Sequence, residues 1–147
     1  MNPKALDEAD DNLRPVNMPH LSYSRINRYL HCPEQYRLYY VENLRPRIPP
    51  ANLIFGQLVH QALAQLFTAK AEPVQFFAEA WYGLKNAELG YGARDSWARL
   101  ESVGTLLLTK FVREESPKIS RVDSVERMFE LDITSLDLPF VGIIDLT

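Results

Sequence analysis

Apolar residues recur at helical spacing over most of the chain and switch to a period of two near its end. Ser22 is a favourable N-cap, and Ile26, Tyr29 and Leu30 follow it at helical spacing. Pro33 predicts the end of that helix and the start of another, because proline donates no backbone N–H and its fixed φ suits a first helical turn. The second helix carries Tyr36, Tyr39, Tyr40 and Val41. Arg45 to Pro50, with three prolines, reads as an extended connector. From Leu53 to about Lys70, the pairs Ile54–Phe55, Leu58–Val59, Ala62–Leu63 and Leu66–Phe67 recur every fourth residue, which predicts an amphipathic helix. Pro73 opens another helix through Phe76, Phe77, Trp81 and Leu84, and Gly90 and Gly92 punctuate the stretch after it. Trp97, Leu100, Val103, Leu107 and Phe111 stripe a longer helix from about Arg94 to Glu115.

After Pro117 the period changes. Val125, Phe129, Leu131 and Ile133 alternate with Glu126, Met128, Glu130 and Asp132, a strand with one wetter face, and Arg127 interrupts its apolar side. Thr134 to Pro139 is a turn region. Phe140 to Leu146 is apolar on both faces, which predicts a strand covered on both sides. The fold class is therefore α/β (α+β), a helical N-terminal part leading into a sheet. Two strands make a marginal sheet alone, so the expectation is a sheet begun here and truncated before its remaining strands. Residues 1–20 hold Pro3, Pro15 and Pro19, several acids and no apolar period, and read as a flexible leader to a domain spanning 21–147.

With 147 residues, 46% of them hydrophobic and 24% charged, the chain suits one soluble globular domain. No apolar run reaches the length of a membrane span, and the acidic N-terminus lacks the apolar region of a signal peptide. Cys32 is the single cysteine, which excludes an internal disulfide and suits a reducing, cytoplasmic setting. A net charge of −3 does not mark a nucleic-acid binder, yet Arg25, Arg28, Arg37, Arg45 and Arg47 face only Glu34 and Glu42 between Leu21 and Pro50. No phosphate-binding glycine loop, nucleophile elbow or HExxH motif is present.

Four features can carry chemistry, each beside a plainer reading. Asp145 ends an apolar strand; burying it would call for a cation, whereas a half-solvated strand end would call for nothing. His60 lies off the apolar stripe of its helix, between Gly56 and Ala64, where another backbone can come close. It can offer a ring nitrogen to a divalent metal or phosphate, or can be a surface residue with a local hydrogen bond. Cys32 stands between two helices, as a thiolate ligand of a larger cluster or as a structural cap. Arg25, Arg28, Tyr36 and Arg37, with Tyr23, Tyr29, Tyr39 and Tyr40, can stack bases and follow phosphates of a single strand, or can form an ordinary helix pair with arginines packed on tyrosines.

Three segments together resemble the RecB-like branch of the PD-(D/E)XK nucleases. Leu21-Ser22-Tyr23-Ser24-Arg25-Ile26 through Tyr29 and Cys32-Pro33 to Tyr36 is similar to the opening of AddB-type and CRISPR-associated RecB-like exonucleases. Phe55-Gly56-Gln57-Leu58-Val59-His60 resembles the family's G-x-x-hydrophobic-H helix. Val141-Gly142-Ile143-Ile144-Asp145 resembles its hydrophobic-G-x-hydrophobic-D strand. The resemblance implies a restriction-endonuclease-like mixed sheet and hydrolysis of DNA phosphodiester bonds, as in DNA repair. It also implies Mg2+ or Mn2+ as cofactor and a helicase as a partner subunit or domain. It gives His60 and Asp145 metal-binding, catalytic roles and matches Glu126 to an acid of uncertain role on the family's first strand. Cys32 would be the first ligand of an iron–sulfur cluster only if further cysteines followed. The family's second acid and lysine, in D/E-x-K, are not among these residues, so the chain is expected to be inactive or nearly so. The competing reading is a non-catalytic helical scaffold that binds partners through its apolar stripes.

Overall fold

A computed structural model describes residues 19–147, so the predicted leader, apart from Pro19 and His20, lies outside the described residues. Helix α1 (Tyr23–His31) starts at Ser22, whose side chain accepts the Arg25 N–H at 3.3 Å and satisfies an amide that a helix start leaves unbonded. At Cys32 the backbone turns extended, and α2 (Pro33–Tyr36) opens with its proline in the first turn. A π-helical turn, Arg37–Val41, carries α2 on. The connector behind it is anchored at its far end: Gly90 N–H donates to Pro49 O at 2.9 Å, and Ala51 N–H donates to Gly90 O at 2.8 Å.

Helices α3 (Ala51–Ala69), α4 (Pro73–Tyr82) and α5 (Trp97–Lys110) form the core. Helix α5 starts later than Arg94 because Ser96 takes the cap, accepting the Arg99 N–H at 3.2 Å. It continues through a π-helical turn, Phe111–Glu115, into a short 3-10 turn, Ser116–Lys118. Ile54, Leu58 and Ala62 of α3 meet Phe77 and Trp81 of α4 and Leu100 and Leu108 of α5, all buried. The Phe77 and Trp81 rings stack at 6.0 Å, and Phe55 stands edge-on to both. Trp81 Nε1 donates to Trp97 O at 3.0 Å while Trp97 Nε1 donates to Trp81 O at 3.3 Å, so each indole finds a partner across the helix pair.

Strands β1 (Val125–Leu131) and β2 (Phe140–Leu146) pair antiparallel, with Phe129 opposite Gly142 and Leu131 opposite Phe140. Leu21 adds a parallel bridge on the other edge of β2: its N–H donates to Pro139 O at 2.8 Å, and Val141 N–H donates to Leu21 O at 2.7 Å. The architecture is α/β, helices followed by a small sheet, as the change of period predicts.

Three expectations need correction. The second strand is not covered on both sides: Val141 is buried, but Ile143 and Ile144 are 40% and 41% exposed, because the described residues bring no further layer over that end of the sheet. Ile133 falls in the turn after β1 rather than within it. No second backbone approaches at Gly56, since nothing lies within 4 Å of the position a Cβ would take there. No helix among the described residues is long and apolar enough to cross a membrane.

Candidate functional site

Helix α3 buries Leu58, Val59 and Ala62, which turns His60 away from the core. Strand β2 carries Asp145 near its end, one residue before Leu146. The two side chains meet. His60 Nδ1 lies 3.6 Å from Asp145 Oδ1, with side-chain exposures of 57% and 69%. That separation is long for a hydrogen bond, and an exposed pair of this kind contributes at most about 1 kcal/mol to stability. Asp145 is not buried, so no hidden charge demands a counter-ion; the juxtaposition with His60, not desolvation, is what makes it a candidate.

Both residues line a cleft of about 180 Å³. Glu126 joins them on its polar side, while Leu63, Ala64, Phe67, Phe111 and Val125 form an apolar wall. Phe67 and Phe111 meet edge to face at 6.3 Å. Glu126 has a φ of 52°, a left-handed conformation that costs a non-glycine residue on the order of 1 kcal/mol or more. The ladder pairs Val125 with Leu146 and Arg127 with Ile144, so Glu126 lies across from Asp145 between those pairs. Like charges facing each other across strands repel. The irregular residue of β1 is thus Glu126, where the alternation pattern marks Arg127. Phe67 and Phe111 are cleft residues that sequence reasoning placed only on helix stripes, and their periodicity gives no sign of the difference.

Two donors 3.6 Å apart lie within twice the ~2.1 Å bond that Mg2+ makes to its ligands, so both can reach one ion. Among the described residues no group of three or more His, Cys, Asp or Glu side chains is assembled for a metal. The described residues thus bring two such donors together, not a full set of ligands. Cys32 sits apart from this cleft, half-buried between α1 and α2. Its backbone does the capping: its N–H donates to Arg28 O at 2.9 Å, its carbonyl accepts the Tyr36 N–H at 3.1 Å, and its side chain caps nothing.

The arginines and tyrosines of α1, α2 and the following turn pack on one another. Tyr29 meets Tyr36 edge to face at 5.6 Å and Tyr39 meets Tyr40 likewise at 4.8 Å, while Tyr36 and Tyr40 lie tilted at 5.1 Å. Arg25 lies 4.5 Å over the Tyr40 ring, and Arg28 lies 3.7 Å over Tyr39. Arg37 belongs to a different set. It binds Glu34 through two hydrogen bonds, of 2.7 and 2.9 Å, and pairs with Glu42 as well. The hydrogen bond from Arg37 holds the Glu34 carboxyl below the usual carboxylate range.

A helical layer stands against a strand pair, and an imidazole and a carboxylate meet at one cleft. The signature of the PD-(D/E)XK nuclease superfamily matches residues 20–147, and the chain belongs to that superfamily. No curated protein and no solved structure matches the chain.

Proposed function

We propose that the chain acts in metal-dependent hydrolysis of DNA as a nuclease domain of the RecB-like exonuclease kind, in a cytoplasmic setting and alongside a helicase subunit or domain. The observation that carries this reading is the approach of His60 Nδ1 to Asp145 Oδ1 at 3.6 Å in an open cleft. His60 and Asp145 would hold Mg2+ or Mn2+, both of which suit a site of oxygen donors and one imidazole. A bound ion would supply Lewis-acid chemistry to a scissile phosphate and to a water. The chain's own part is to fix the donors: α3 sets the imidazole, β2 sets the carboxylate, and the apolar wall of Phe67, Phe111 and Val125 keeps water from one side. Glu126, which lines the same cleft, would orient a water. Cys32, the single cysteine, offers too few thiolates for an iron–sulfur cluster on its own.

Mn2+ titration by calorimetry tests this. The wild-type chain is expected to bind the ion, and Asp145→Asn or His60→Ala to weaken it about tenfold or more, about 1.4 kcal/mol. Equal affinity in all three would remove the site and favour the helical scaffold. Residues 1–147 contain no Asp/Glu-x-Lys triplet, so by themselves they are expected to cleave DNA feebly or not at all. Brisk Mg2+-dependent cleavage by this chain, abolished by EDTA, would contradict that.

A further inference from the structure

Tyr39 carries two cations. The guanidinium carbons of Arg28 and Arg45 each lie 3.7 Å from the centre of its ring. The two cations therefore stand no more than twice that distance apart. Arg45 also donates to the Tyr39 carbonyl, which holds its guanidinium beside the ring. Arg25 and Arg28 share the neighbouring Tyr40 ring, at 4.5 and 5.5 Å. Three arginines therefore gather around two rings, each side chain partly exposed.

We propose that Arg25, Arg28 and Arg45, set in place by Tyr39 and Tyr40, form a clamp for the phosphodiester backbone of DNA, separate from the cleft of His60 and Asp145. The role rests on the nuclease reading and assigns its substrate a second point of attachment. Guanidinium planes held rigidly by rings lose little freedom on meeting phosphate, and they present donors in a fork that fits its oxygens. Contacts to phosphate carry no sequence information, so the clamp reads charge and not sequence. Arg37 and Tyr36 fall outside it. The Leu21 bridge ties the start of α1 to the Phe140 end of β2, whereas Asp145 is near the other end, so the strand itself sets the clamp and the metal donors apart.

The test is fluorescence anisotropy of labelled oligodeoxythymidine in EDTA across a salt series, which keeps metal chemistry out of the readout. Arg28→Gln and Arg45→Gln are expected to weaken binding severalfold each. They should also flatten the slope of log K against log salt by about 0.7 for each phosphate no longer neutralised. Arg45→Lys, which keeps the charge, is expected to retain most of that slope, and Arg94→Gln, on the exposed loop before α5, to change neither quantity by as much. Oligodeoxyadenosine is expected to bind like oligodeoxythymidine. Unchanged affinity and slope in Arg28→Gln and Arg45→Gln would overturn the clamp while leaving the Mn2+ titration untouched. Displacement of DNA by inorganic phosphate at matched ionic strength would overturn it too, by showing a pocket for a single anion. Conversely, a normal salt response beside absent Mn2+ binding would sink the nuclease reading and leave a DNA-binding surface.

Discussion

Gly142 shows how a single residue can set the position of another. A Cβ added to it would lie 2.4 Å from Phe129 Cζ, because the Phe129 ring on the paired strand lies across the glycine. Its φ is not positive, so the backbone would accept alanine and only the ring excludes it. Gly142→Ala is therefore expected to cost about 1–3 kcal/mol through overpacking and to push the ring aside. Made in a Phe129→Ala background, the same substitution should cost close to nothing. Denaturant melts of the four proteins in that cycle measure the coupling. Additive losses would mean that the glycine serves something other than the ring. The close approach also explains part of the hydrophobic-G-x-hydrophobic-D pattern in physical terms: the glycine lets β1 close over β2 three residues before Asp145. The pattern in the sequence marks Gly142 and Asp145 together, but not the aromatic partner that makes the glycine necessary.

At the scale of elements, two helical glycines have opposite roles. Gly104 of α5 is buried, and a Cβ there would meet Phe77 at 2.2 Å and Phe55 at 3.0 Å. Phe77 is fully buried and has nowhere to go. Gly104→Ala should thus lose about 1–3 kcal/mol to overpacking, more than the ~1 kcal/mol that alanine gains from helix propensity. Gly56 of α3 has open space where its Cβ would be, so Gly56→Ala should raise stability by up to about 1 kcal/mol. Thermal melts of the two variants should move in opposite directions, and a shared direction would show that the facing phenylalanines do not decide the outcome. The helices themselves were legible because their apolar pairs recur every fourth residue, with Ser22 and Pro33 as punctuation. The start of α5 was legible too, in Ser96, because serine favours the N-cap and Arg94 has no side-chain acceptor to offer there. Spacing did not show that Gly104 is a packing point and Gly56 an open one, because both sit among apolar residues. What distinguishes them is the neighbour across the gap, and that neighbour comes from another helix.

For the whole molecule, the uneven distribution of burial governs how it opens. The buried core lies in α3, α4 and α5, whereas among the described residues the sheet contributes only Val141 to the buried apolar set. The sheet is thus held chiefly by its own ladder, by the Leu21 bridge and by edge contacts with α3, and a two-stranded sheet is marginal without more. The same unevenness was hidden in the sequence. The apolar run Phe140–Leu146 resembles a covered strand because side-chain polarity reports what a strand can bury, not which layer reaches it. His60 and Asp145 were legible as candidates one by one, while their meeting depends on how α3 crosses the end of β2. Native-state hydrogen exchange should find the amides of α3–α5 protected close to the global unfolding free energy and those of β1 and β2 exchanging through a cheaper local opening. An ion shared by His60 and Asp145 would bridge the stable helix to the weaker sheet. At Mn2+ a hundredfold above its Kd, β-strand amides that open by breaking this bridge should gain about 2.7 kcal/mol, a slowing of roughly a hundredfold. Asp145→Asn should abolish that gain without altering protection in the helical core. Equal slowing in wild type and variant would place the ion elsewhere, and strands as protected as Trp81 and Phe77 in the absence of metal would show that the sheet needs no such bridge.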